Sequence, residues 1–406
     1  MPQNARVPAM TDSARVSDTE VEEWFDEESE EDEEQELVAT LPADPAAKYA
    51  ESQLRVVRET KDYQLDYLQH ALQPGRELIN ISPAYQRRLR WNNRKKSLLI
   101  ESFLLNIPVP PIFLFETDYN AYEVIDGQQR LDAVSSFLAN EFALSGLEYW
   151  PELNRKRFNS LPKVLQRGLL RRSLPAVVLL AETRSGSDKT IDVRRVLFDR
   201  LNTGGVSLNP QELRNALYPG TLNGLLISLA RSEPFTTAWN IPPYTPGEDS
   251  NPPDELSHNP LFASLADAEL VLRFFALRDA FASGTGSLRQ ILDRYMESHA
   301  EITDAAAEAM GRDYLDLLQR LVDLFDGRPF RLPSTGRISR PLYDALMIAL
   351  SRAPGVDLAA NARAINIRLE EALADDETYD VLVGRGNTMA AIRSRVELAG
   401  TILAAR

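Results

Sequence analysis

The chain is most tightly constrained at Asp126-Gly127-Gln128-Gln129-Arg130. An apolar run, Ala121 to Ile125, leads into it, and a stretch with helical spacing, Leu131 to Ala139, leaves it. The pattern predicts a strand, a tight turn at the glycine and a helix that starts at once. A glycine there lets backbone approach a ligand closely, and a helix start offers unpaired N–H groups and partial positive charge. Such a junction binds anions, phosphate above all. Arg130 adds a guanidinium fork suited to phosphate. Asp126 adds a carboxylate able to hold a metal ion or orient water, and Gln128 and Gln129 add hydrogen-bonding groups. The plainer alternative is a polar turn that caps a helix.

What surrounds this turn sets the fold class. Short strand-like runs alternate with amphipathic ones from Tyr63 to Pro219. Strand candidates are Ile79–Ile81, Ile112–Phe115, Ala121–Ile125 and Ser173–Leu180. Helix candidates are Arg94–Leu105, Pro162–Arg172 and Asp188–Leu201, and Pro108, Pro110 and Pro111 keep the chain extended after the first. Asn209-Pro210-Gln211-Glu212 carries a full set of helix-start signals: an N-cap asparagine, proline at the first helical position and glutamate at the capping-box position. Helical patterns dominate at Leu265–Ala282, Ser287–Glu297, Asp304–Phe325, Arg340–Arg352, Leu358–Ala374 and Thr388–Ala404. The reading is α+β, with four parts. Residues 1–60 form an acidic disordered tail and linker, 61–220 a phosphate-binding domain, 221–260 a Pro-rich loop segment and 261–406 an all-α domain. A chain of 406 residues is long enough for such a division.

Charge is unevenly spread. Residues 1–40 hold 14 acidic residues against Arg6 and Arg15, which is −12 of the chain's net −15. The remainder is close to neutral, so charge does not exclude nucleic-acid binding. The tail reads either as solvated chain or as a mimic of nucleic acid that occupies a basic groove. No apolar stretch approaches the roughly 20 residues that cross a bilayer, and the N-terminus lacks a basic-then-apolar signal pattern. The expected location is cytoplasmic, away from membranes. Cysteine is absent, which excludes disulfides, thiolate catalysis and cysteine-held zinc. The three histidines, His70, His258 and His299, lie far apart and off any metal-ligand spacing, and no lysine-bearing phosphate loop of the G-x-x-x-x-G-K-[ST] type is present.

Two further runs can contact phosphate. Tyr85, Gln86 and Arg87 are followed by Arg88, Arg90, Arg94, Lys95 and Lys96, with Trp91 among them. Arginine beside an aromatic suits phosphate and base contact, and a solvated basic helix start is the alternative. Arg200, Asn202, Thr203 and Gly204 form a polar turn whose backbone can make a second phosphate-contacting edge, or simply cap a helix. Glu212-Leu213-Arg214-Asn215, just beyond, reads as an internal salt-bridged brace.

Taken in order, these runs resemble the domain-of-unknown-function family 262, the N-terminal domain of GmrSD-type modification-dependent restriction endonucleases. The runs are Tyr85-Gln86-Arg87 with Trp91, Glu101-Ser102, Pro108 to Pro111, Asp126 to Arg130, Phe198 through Asn215, and Asp267 to Phe275 with Arg273. The resemblance implies a ParB/sulfiredoxin-like fold for the N-terminal domain and a role in restriction or phage defence. It implies an NTP, ATP or GTP, with Mg²⁺ held at Asp126. It also implies a nucleotide-hydrolysing or phosphate-binding site at Asp126, Gly127, Gln128, Gln129 and Arg130, with Tyr85, Gln86 and Arg87 lining the same cleft. The expected function is NTP binding and hydrolysis that regulates DNA engagement. The rival is a non-enzymatic DNA-binding module partnered with a separate nuclease chain. The His-Asn-His nuclease domain of full-length restriction members has no counterpart here, so DNA cleavage by this chain alone is not expected, and sulfiredoxin chemistry is excluded by the missing cysteine.

Overall fold

The computed structural model describes residues 16–27, 58–72, 78–80, 91–180, 209–218, 220–248, 252–384 and 386–404. The fold is α+β. The chain divides into two compact units, Ala43–Leu208 and a second built from Met1–Pro42 with Asn209–Arg406. Residues 18–27 form a helix, α1, that belongs to the second unit.

The first unit is a five-stranded mixed sheet with helices packed on one face. Its strands are β1 (Arg58–Gln64), β2 (Ile79–Asn80), β3 (Ile112–Asp118), β4 (Ala121–Asp126) and β5 (Ser173–Leu179), in the order β1-β5-β3-β4-β2. β1 runs antiparallel to β5 and β4 antiparallel to β3, while β3–β5 and β2–β4 are parallel. The helices are α2 (Leu65–Ala71), α3 (Asn93–Leu105), α4 (Gln128–Leu138) and α5 (Lys163–Leu170). Ile112, Leu114, Tyr122, Val124, Leu174, Ala176 and Val178 point from the sheet into one core with Leu68, Ile100, Phe103, Leu131, Val134 and Phe137. The alternation of period two puts these strand residues on one face. Each valine, leucine, isoleucine or phenylalanine buried in this way stabilises the fold by about 1.5–3 kcal/mol.

Local chemistry fixes the connections that matter. Asn92 caps α3 by accepting from the Lys95 N–H at 3.0 Å, and Asn106 ends that helix in the left-handed conformation. Pro108, Pro110 and Pro111 then carry the chain extended into β3. Asn120, at φ 57°, closes the β3–β4 hairpin. Between Phe113 and Leu114 the β3–β4 register shifts, so that Phe113 pairs with Asp126 while Leu114 pairs with Val124. Such irregularities re-aim the side chains beside them, and this one lies at the end of β4 where the candidate site begins.

The second unit is all-α. After α1 come α6 (Pro210–Leu217), α7 (Thr221–Ala230), α8 (Glu233–Trp239), α9 (Asp254–Ser257), α10 (Pro260–Ala263) and α11 (Ala266–Ala280). These are followed by α12 (Leu288–His299), α13 (Asp304–Leu324), α14 (Arg340–Arg352), α15 (Leu358–Ala374), α16 (Asp376–Val383) and α17 (Met389–Leu403). Every residue of α11 from Ala266 to Leu277 is buried, as expected of a helix surrounded by others. Charged residues inside this unit are matched: Arg214 reaches Glu269 at 3.2 Å and Asp293 at 2.8 Å, Arg231 grips Glu248, and Arg273 pairs with Asp344 at zero exposure for both.

Three sequence expectations need correction. Residues 221–260 are not simply a Pro-rich loop: α7 and α8 fill their first half, and the main segment of the helical unit begins at Asn209. The acidic tail contains α1, whose Val16, Val21 and Phe25 lie in the helical core. Residues 58–64, read as the end of a linker and its junction, form strand β1. The expected helix at Asp188–Leu201 lies outside the described residues.

Candidate functional site

The strand–glycine–helix junction forms as the sequence predicts. β4 delivers Asp126, Gly127 occupies the N-cap position of α4 at φ +98°, and Gln128, Gln129 and Arg130 make the first turn. Only glycine fits here. A Cβ on residue 127 would lie 2.3 Å from Ile112 Cγ2 and 3.1 Å from Arg130 Nη2, and the positive φ would strain any L side chain. Because Gly127 has no side chain, no side-chain cap closes the helix start, and the N-terminal end of the helix dipole faces the turn.

The two charged residues of the turn hold each other. Arg130 Nη2 donates to Asp126 Oδ2 at 2.7 Å and to the Pro111 carbonyl at 3.2 Å. Their side chains are 16% and 31% exposed, so the pair sits at a partly open rim rather than in the interior. Two polar atoms beside it are buried and have no partner in the protein: Arg130 Nε and Gln129 Oε1. A buried polar atom without a bond costs about 1–3 kcal/mol, so a ligand atom that supplied the missing bond here would be favoured by that amount.

The supporting shell comes from α3. Lys96 pairs with Asp132 of α4 at 2.5 Å and lies 5.7 Å from the Phe142 ring centroid, tying the two helices together. Glu101, 3% exposed, accepts from three consecutive backbone amides: Glu148 at 3.2 Å, and Tyr149 and Trp150 at 2.9 Å each. One carboxylate thereby fixes the segment just before Pro151. Ser97 adds a fourth anchor by accepting from the Ser145 N–H at 2.9 Å. Glu101 entered the sequence reading only as part of a signature. A lone acid on the apolar side of a helical pattern was the available sign of a buried clamp.

Of the predicted site residues, Asp126, Gly127, Gln128, Gln129 and Arg130 come together on one turn. Tyr85, Gln86 and Arg87, and Arg200, Asn202, Thr203 and Gly204, lie outside the described residues. Among the basic residues after Arg87, Arg94 and Lys95 are exposed at the start of α3, and Trp91 packs against the sheet unit's core. Arg214 is braced inside the helical unit by Glu269 and Asp293, away from solvent. His299 stacks on Tyr295 with ring centroids 4.0 Å apart, a packing role. Among the described residues no group of three or more His, Asp or Glu side chains is placed to hold a metal ion. Asp126 alone can lend one oxygen to an ion that arrives on a phosphate; Mg²⁺ bound in that way needs only one or two protein carboxylates. No described helix is long and apolar enough to cross a membrane.

Residues 68–219 match the family model of the GmrSD restriction endonuclease N-terminal domain. Neither the curated proteins nor the solved structures gave a match to the chain. The matched span includes the Asp126–Arg130 turn, the three prolines before β3 and the Asn209 helix start, so the part of the chain that carries the site is similar to a restriction-system domain.

Proposed function

We propose that the sheet unit binds the phosphate tail of a nucleoside triphosphate at the Asp126–Arg130 turn, hydrolyses it, and couples that cycle to DNA engagement in a restriction or phage-defence system. What supports this reading most is the pair of unpartnered buried atoms, Arg130 Nε and Gln129 Oε1, beside an uncapped helix start. Arg130 Nε would donate to a phosphate oxygen, together with backbone N–H groups of the first turn. Gln129 Oε1, an acceptor, would take a hydrogen bond from the attacking water. Asp126, freed from Arg130 as the guanidinium turns to phosphate, would orient that water or lend an oxygen to the incoming Mg²⁺. Hydrolysis of a phosphoanhydride asks mainly for positioning and charge stabilisation, and these groups supply both. The exposed Arg94 and Lys95 offer sequence-independent contacts for a DNA backbone.

The test is phosphate release from each of the four nucleoside triphosphates with Mg²⁺, with and without duplex DNA, for the wild-type chain, Asp126→Ala and Arg130→Ala. Turnover by the wild type and its loss in both variants is the expected result. Wild-type turnover in Asp126→Ala would remove the assignment. No turnover by any protein, with DNA binding that weakens steeply from low to physiological salt, would instead favour the non-enzymatic module.

A further inference from the structure

Helix α1 sits on the helical unit in the manner of a bound peptide. Val16, Val21 and Phe25 are 6%, 2% and 6% exposed within that unit's core. Trp24 meets Trp239 edge-on at 6.3 Å. Val21 and Phe25, four residues apart, share one face of the helix, while Asp18, Glu22, Glu23 and Asp26 remain exposed. Ser17 and Glu20 close the helix start with a reciprocal capping box at 3.2 and 2.9 Å. Carboxylates pin both ends: Glu20 pairs with Arg337, and Glu27 Oε2 lies 3.1 Å from Arg340 Nη2. The Arg340 guanidinium also lies 4.9 Å from the Trp24 ring.

The receiving surface asks for an acidic ligand. Arg340 is 3% exposed, and its Nε has no partner in the protein. Burial, reinforced by the like charge of Arg273, pushes its pKa down to about 10. Glu269 and Asp344 of the unit's interior already act on this cation, and Glu27 of α1 adds a third carboxylate, which the guanidinium contacts directly; residues 18–27 hold six acidic residues and no basic one. Thirty residues separate Glu27 from Arg58 in sequence.

We infer that the helical unit carries a groove that recognises an acidic amphipathic helix, that residues 16–27 are its tethered ligand, and that a partner protein presenting a helix of the same chemistry takes the groove in their place. That chemistry is an adjacent aromatic pair, an aliphatic anchor one turn earlier, and a carboxylate at each end. Helix-in-groove recognition reads anchors at this spacing. A DNA backbone would satisfy the two arginines but has nothing to fill the seats of Val21, Trp24 and Phe25.

The test adds a fluorescent synthetic peptide of residues 16–27 to the full chain. Because its own segment is part of the same chain and already occupies the groove, wild type should bind the added peptide about 100-fold more weakly than Trp24→Ala/Phe25→Ala, whose own segment no longer competes. A peptide carrying Glu20→Gln and Glu27→Gln should bind that variant about tenfold more weakly than the native peptide. Unlabelled duplex DNA should not displace it. Equal binding to wild type and variant, no binding to a folded variant, or displacement by DNA rather than by unlabelled peptide would each overturn the inference. If the variant fails to fold, a protease site inserted near residue 40 of the wild type decides the matter. After cleavage the native segment must exchange with labelled peptide, and a cleaved chain that precipitates, or holds its segment without exchange, overturns the inference equally.

Discussion

Arg130 Nη2 bridges two acceptors at once, Asp126 Oδ2 at 2.7 Å and the Pro111 carbonyl at 3.2 Å. The turn's cation is therefore aimed by the proline run before β3 as well as by its own anion. On the proposed reading, an incoming phosphate would compete with Asp126 for this nitrogen and meet the unpartnered Nε directly. That exchange would leave Asp126 able to act on water or on an ion at the moment the phosphate is in place.

Removing either member should separate chemistry from stability. Because the pair is only partly exposed, Asp126→Ala and Arg130→Ala are each expected to cost about 1–2 kcal/mol in urea unfolding. Phosphate release should fall by about 100-fold or more in each. A loss of several kcal/mol would make the pair a strut of the fold instead.

Gly127→Ala is expected to destabilise the sheet unit by about 3 kcal/mol, from the positive φ and the 2.3 Å approach to Ile112 Cγ2. Adding Ile112→Ala relieves the contact but not the dihedral strain. Unfolding of the double variant should therefore show a loss smaller than the sum of the two single losses by about 1 kcal/mol. Simple additivity would show that the steric contact does not matter.

Glu101→Ala leaves three amide donors without their acceptor and should cost about 3 kcal/mol. Hydrogen exchange at Glu148, Tyr149 and Trp150 should accelerate together, since one carboxylate serves all three. Glu101→Gln keeps a single carbonyl acceptor. It should preserve the bonds to Tyr149 and Trp150, both made by Oε1, better than the one to Glu148.

Glu248 carries a signed pH dependence. Burial raises its pKa, but the Arg231 guanidinium and the Thr245 N–H more than offset this, and the net position is below the ordinary carboxylate value of 4.5. A depressed folded-state pKa contributes stability that is present above the unfolded-state value and is lost as pH falls through the folded one. The difference in urea midpoint between wild type and Glu248→Gln should stay constant from pH 7 to about 5 and shrink below 4.5. A difference that grows toward acid pH would contradict the sign.

Features held by neighbours in sequence were legible, and those held by distant partners were not. The Asn209–Glu212 capping box was readable because it is closed within four residues; the bonds are 2.8 and 3.0 Å. Arg340–Arg352 and Leu358–Ala374 were bounded correctly because their apolar spacing starts and stops sharply. β1 was missed because Arg-Glu-Thr-Lys-Asp-Tyr-Gln is polar and mostly exposed; its place in the sheet comes from pairing with β5, more than 100 residues on. α7 was absorbed into the proline-rich segment that follows it. α1 was hidden because six acids in ten residues outweigh three apolar anchors in any reading of composition, and the surface that receives those anchors lies some 200 residues or more downstream. At the candidate site, the turn itself was plain in the sequence. The Pro111 carbonyl and the Ile112 wall were not, since they act through backbone and shape, and the Glu101 clamp was not, since its carboxylate serves backbone amides 47 to 49 residues away.

Arg273 and Asp344 stand 71 positions apart and share a place with no access to water. Losing one strands the other's charge in a dry interior at about 3–5 kcal/mol, whereas trading both for well-fitted nonpolar residues costs little. Descent through single substitutions must therefore cross a poorly folding ancestor to alter either. Among relatives of this chain the two columns should vary as a couple or stay fixed, which gives an alignment a way to recognise the helical unit even where the rest of its sequence has diverged.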